Sequence, residues 1–94
     1  MHGTILRAIK GLSSKSHKVA DIGCGIGSLV PTLSPIFKSV TAMDISSACL
    51  EIAQQRNRNL NKVRFLQQDL AAPLSLTEQF DVGICLNVAL TPVY

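Results

Sequence analysis

At 94 residues the chain has the length of one domain or part of one, and a net charge of +3 is too small to argue for a nucleic-acid partner. It is 47% hydrophobic and 16% charged, against ~25% charged in ordinary globular chains, yet no stretch approaches the ~20 apolar residues of a membrane span. Three cysteines, Cys24, Cys49 and Cys85, form no C-x-x-C pair and have no histidine at ligand spacing, which argues against a metal site. Their odd number, without a secretion signal, favours a reducing, cytoplasmic setting.

The opening stretch sets Ile5, Leu6, Ile9 and Leu12 on one helical face and predicts a helix over 4–12. Basic organelle-targeting leaders share that pattern, but this one holds a single arginine and a strand follows at once, so a helix packing on a sheet is the preferred reading. His2 and His17 lie outside every motif and read as surface residues. A strand over 18–22 follows, its Val19, Ala20 and Ile22 patterned for burial on both faces, and it runs through Asp21 into Gly23, Cys24, Gly25, Ile26 and Gly27.

A second helix is predicted over 28–37. Pro31 suits its first turn, whereas Pro35 removes a later hydrogen bond and calls for a kink or an early stop. A strand over 39–43 ends at Asp44. The third helix, 47–58, has Ser46 or Ser47 to cap it, Cys49, Leu50 and Ala53 as its buried stripe, and Arg56 and Arg58 at its negative end, with Asn59-Leu60-Asn61 to stop it. An alternating strand over 62–67 runs toward Asp69, and a last strand over 80–86 toward Asn87. Strands and helices alternate, so right-handed crossovers give an α/β, Rossmann-like parallel sheet of order 3-2-1-4 with Asp21, Asp44 and Asp69 all at its carboxyl edge.

Glycine at every second position after an apolar strand is more than a simple turn needs, and it leaves bare backbone for a polar ligand to touch. A dinucleotide turn requires G-x-G-x-x-G. Counted from Gly23 the third glycine falls on Ser28, and counted from Gly25 it falls on Val30, so the nicotinamide reading is weakened. Asp44, about 20 residues on, is placed to accept hydrogen bonds from two ribose hydroxyls, a feature that does not choose between nucleoside cofactors. It competes with an ordinary capping role at the start of the third helix.

The string D-x-G-x-G-x-G over Asp21 to Gly27, together with the order of elements, resembles the first motif of the class I S-adenosylmethionine (SAM) dependent methyltransferases. The resemblance implies that Gly23, Cys24, Gly25 and Gly27 pass beneath the methionine part of SAM and that Asp21 helps hold its amino group. It further implies that Asp44 holds the ribose, that Asp69 and the backbone of Leu70 meet the adenine, and that Ile45 and Leu70 form apolar walls. Asn87 would stand beside the methyl-transfer centre. The resemblance implies no general base in this segment, since in the family the acceptor pocket comes from later strands and loops.

The family's sheet has seven strands, so this chain reads as its donor-binding part: 1–17 an N-terminal helix and lead-in, 18–94 the SAM-binding core. A fourth strand ending at an open edge calls for a partner, or a missing C-terminal half, to cover Phe80 to Leu86. Asn87-Val88-Ala89-Leu90 is not the N/D-P-P-Y/F box of amino-group methylases, which leaves a small-molecule methyl acceptor as the default. Two other readings stay open: an NAD-type dinucleotide-binding module, and a truncated, non-catalytic subunit that uses its bare edge for pairing.

Overall fold

The computed structural model describes residue 11 and residues 13–69 and 80–85. Of the expected first helix only Gly11 is among them, in helical conformation, and Leu70 and Asn87 lie outside the described residues. Four parallel strands form one sheet in the order β3-β2-β1-β4, with β1 at Ser14–Ile22, β2 at Phe37–Asp44, β3 at Val63–Gln67 and β4 at Val82–Ile84. Among the described residues two helices connect them, α1 at Val30–Leu33 and α2 at Ser47–Arg56.

The register aligns the carboxyl ends. Ile22 pairs with Met43, Asp44 with Gln67, and Asp21 with Ile84, so β1, β2 and β3 all deliver their last residues to one edge. β1 and β2 lie inside the sheet, which is why their apolar residues are buried whichever way they point. Val19, Val40 and Ala42 join Val30, Leu33, Phe37, Leu50 and Ile84 in a single core, with Leu29, Ile36, Leu60, Val63, Phe65 and Val82 packed at its margin.

Several boundaries differ from those expected, each for a local reason. β1 begins at Ser14 rather than 18, because Ser14 pairs with Phe37 across a register irregularity before Lys18. Ser14 to His17 are polar, so no apolar pattern marks them as strand. His17 is half-buried rather than a surface residue, and its Nδ1 is enclosed without a hydrogen-bond partner among the described residues. α1 is one turn, not ten residues: it stops at Leu33, Ser34 closes it by donating to the Val30 carbonyl at 2.9 Å, and β2 starts at once at Phe37. Pro35 cannot extend the helix, and a helix of one turn contributes little dipole to the space beside the glycines.

α2 is capped by Ser46, whose Oγ accepts from the Cys49 N–H at 3.2 Å. Leu50 and Ala53 are buried as patterned, whereas Cys49 is only half-buried. The helix ends at Arg56, with Asn57 as its C-cap, before the Asn59-Leu60-Asn61 segment is reached. β4 is shorter than expected, and Asp81 ties its start to β1 by exchanging hydrogen bonds with the Lys18 backbone. No helix among the described residues is long and apolar enough to cross a membrane.

Candidate functional site

The central strand places Asp21 one residue before its end, between β2 and β4, and leaves that side chain 3% exposed. Its Oδ2 is enclosed and has no hydrogen-bond partner among the described residues. Burial first, and then the nearby Asp44 carboxylate, push the Asp21 carboxyl up to about 6. A buried acceptor without a partner is costly, and a carboxylate in that state attracts a cationic hydrogen-bond donor.

From Asp21 the chain enters a turn in which Gly23, Gly25 and Gly27 have φ of 73°, 57° and 78°, the left-handed region that side chains disfavour. Bare approach to a ligand was the expected reason for all three, but at Gly27 the constraint comes from within the fold. A Cβ there would stand 2.6 Å from Asn57 Nδ2 and 2.9 Å from Ala53 Cβ, so glycine lets the turn lie against α2. Cys24 acts through its backbone: its N–H donates to the Met43 carbonyl at 2.8 Å and stitches the turn to β2. Burial, with Asp21 and Asp44 nearby, raises its thiol to about 12, which keeps the sulfur neutral and unreactive.

Asp44, the last residue of β2, serves two backbone donors at once. Its Oδ2 accepts from the Gly25 N–H at 2.8 Å, and its Oδ1 accepts from the Ser46 N–H at 3.0 Å. The expected competition between a capping role at the start of α2 and a site role is therefore not exclusive: Oδ1 holds the backbone of the cap residue Ser46, and since each carboxylate oxygen has two lone pairs, one on each remains to accept a hydroxyl. Beside the two ends of the Gly25–Asp44 bond stand two exposed apolar side chains, Ile26 at 42% and Ile45 at 58%. Both are large apolar side chains left facing solvent beside the residues that this bond joins.

Asp69 lies two residues beyond β3 at the same edge of the sheet and is exposed. The segment leading to it is anchored to the Asp44 region: Gln68 N–H donates to the Asp44 carbonyl at 3.0 Å, and Gln67 Nε2 donates to the Ile45 carbonyl at 2.9 Å. Asp21, Gly23, Cys24, Gly25, Gly27, Asp44 and Ile45 are thus gathered around one turn, with Asp69 on its flank. Ile26, Arg56 and Asn57 also stand at this turn, although no motif in the sequence marks them. The last two hold the turn from α2, and nothing local in the sequence distinguishes a buried asparagine at a helix end from ordinary turn chemistry.

The geometry suits the donor inferred from the resemblance: an enclosed anionic oxygen for an ammonium, a turn with left-handed glycine at every second position, and a strand-tip carboxylate with spare lone pairs beside an exposed isoleucine. Comparison with known proteins agrees. Residues 19–93 match the methyltransferase domain family. A protein of Bacillus subtilis named as the methyltransferase YqeM is 35% identical over 71 residues, covering 74% of this chain and 29% of its own length. The magnesium-protoporphyrin O-methyltransferase of Synechocystis sp. is 38% identical over 74 residues, covering 74% of this chain and 31% of that protein.

Among solved structures, an S-adenosylmethionine-dependent methyltransferase from Clostridium acetobutylicum superposes with a TM-score of 0.71 at 30% identity, over 87% of this chain and 33% of that one. The chain therefore spans about three-tenths of the curated relatives it matches. The dinucleotide-binding alternative gives way to this match. The chain belongs to the class I SAM-dependent methyltransferase family.

Proposed function

We propose that the chain is the donor-binding portion of a cytoplasmic SAM-dependent methyltransferase that acts on a small-molecule acceptor. The observation that carries the reading is the enclosed Asp21 Oδ2, which has no partner among the described residues. SAM, when bound, supplies a methyl group on a positively charged sulfur. Asp21, ionised above about pH 6, offers its free oxygen to the ammonium of the methionine part. The turn from Gly23 to Gly27 supports that part from below, and Asp44 accepts from the ribose hydroxyls with the lone pairs that Gly25 and Ser46 leave free. Ile45 covers one face of the adenine. Asp69, Leu70 and Asn87 keep the roles that family resemblance gives them.

In this reading the residues act by holding a donor in one orientation, and alignment of reactants at contact distance supplies much of the acceleration in a displacement of this kind. A small-molecule acceptor is favoured by the absence of the amino-methylase box after Asn87 and by a relative named for its porphyrin acceptor. The 18–94 segment is the binding core, and further chain or a partner covers the outer edge of β4. The direct test is titration of the chain with S-adenosylhomocysteine (SAH), the demethylated product. Wild-type chain should bind saturably and Asp44→Ala should not. Undiminished binding by Asp44→Ala overturns the reading.

A further inference from the structure

The glycine turn poses a physical problem. Three left-handed glycines within five residues form a segment with large conformational freedom, and a ligand that needs one shape of it loses affinity in proportion to the time spent in others. Something has to hold that shape before the ligand arrives. The C-terminal end of α2 reaches across and does so. Asn57, 4% exposed, donates one Nδ2 hydrogen to the Gly27 carbonyl at 3.1 Å and the other to the Ala53 carbonyl at 2.9 Å. Arg56 Nη1 lies 3.4 Å from the Ile26 carbonyl oxygen and 3.3 Å from Ser28 Oγ. Three consecutive residues of the turn are thereby held from one helix end.

The consequence for the backbone is specific. No peptide bond among the described residues is cis, so in each unit the N–H points opposite to the carbonyl. Fixing the Gly27 carbonyl on Asn57 fixes the Ser28 N–H to face away from α2, and fixing the Ile26 carbonyl does the same for the Gly27 N–H, which donates to the Cys24 carbonyl at 3.0 Å. The same helix is tied at its other end to the ribose-side carboxylate, since Ser46 caps α2 and donates its N–H to Asp44. One helix thus joins the two halves of the site.

We infer that Asn57, assisted by Arg56, is a positioning residue that pre-organises the turn for the methionine part of the donor and has little effect on the adenosine part. The inference rests on the reading of the turn as a donor cradle. It does not require that Asn57 touch the ligand.

The test measures affinity for SAH and for adenosine alone in wild-type chain, Asn57→Ala and Arg56→Ala, together with amide hydrogen exchange across residues 23–28 without ligand. Asn57→Ala should weaken SAH by about tenfold, as expected for loss of one buried hydrogen bond, and adenosine by less than about twofold. Exchange in the turn should accelerate while β2 stays protected. Arg56 is exposed, so Arg56→Ala keeps the fold and should show the same pattern in weaker form. Equal loss of SAH and adenosine would mean a general structural role and overturns the inference, as does unchanged exchange in the turn. Should wild-type chain bind neither ligand, the donor reading fails, while the exchange comparison still decides whether Asn57 orders the turn.

Discussion

Asp21→Asn should make the protein more stable and less able to bind its donor. In the folded chain burial raises the carboxyl from 3.8 to about 6, a difference equivalent to about 3 kcal/mol between its protonation states. A carboxyl whose folded value is raised is protonated more readily folded than unfolded. Below pH 3.8 it costs nothing, between 3.8 and about 6 stability falls as pH rises, and above that the full penalty applies. Asparagine has nearly the same shape and no charge, so at neutral pH the variant should gain up to about 3 kcal/mol, less whatever its amide N–H groups lose by staying unpaired. Urea denaturation of both proteins from roughly pH 4 to 8 gives the difference directly, because contributions from titrating groups that do not interact with Asp21 cancel. The wild-type curve should fall relative to the variant between roughly pH 4 and about 6 and run level with it in slope above that, and SAH binding should weaken by about tenfold or more in the variant at neutral pH. A variant that is less stable at neutral pH, or a difference that does not change with pH, refutes the claim that Asp21 is held charged at a cost for the ligand.

Three further outcomes follow from the same geometry. Gly27→Ala places a methyl group against Asn57 and Ala53 at a left-handed φ, and denaturation should show a loss of about 3 kcal/mol. Ser46→Ala removes the acceptor for the Cys49 N–H and should lower stability by about 1 kcal/mol, read from the same unfolding curves. Lys62 has a φ of 62° immediately before β3, so Lys62→Gly should raise stability by up to about 1 kcal/mol, provided its carbonyl keeps the hydrogen bond from the Val40 N–H.

The sheet order and the acids at its edge were legible because buried parallel strands appear as continuous apolar runs, and Val19, Val40 and Ala42 mark two of them. A serine cap at Ser46 or Ser47 and a kink or stop at Pro35 were equally legible, since each acts through chemistry local to its own backbone; the structure selects Ser46 and the stop. The start of β1 was not, because Ser14 to His17 are held by pairing with β2 and not by burial of apolar groups. Asn57 escaped notice for a related reason. Its burial and its bond to Gly27 depend on α2 crossing the turn, a contact between residues 30 positions apart that no local pattern encodes. The glycines were noticed, but the cause at position 27 is visible only once Ala53 and Asn57 are placed beside it.

The claim on which everything else depends is that this turn and its two carboxylates receive adenosyl sulfur compounds rather than pyrophosphate dinucleotides. Isothermal calorimetry of the wild-type chain with SAH and, separately, with NAD tests it most directly. Saturable heat with SAH and none with NAD is the predicted result. Heat with NAD and none with SAH contradicts the account.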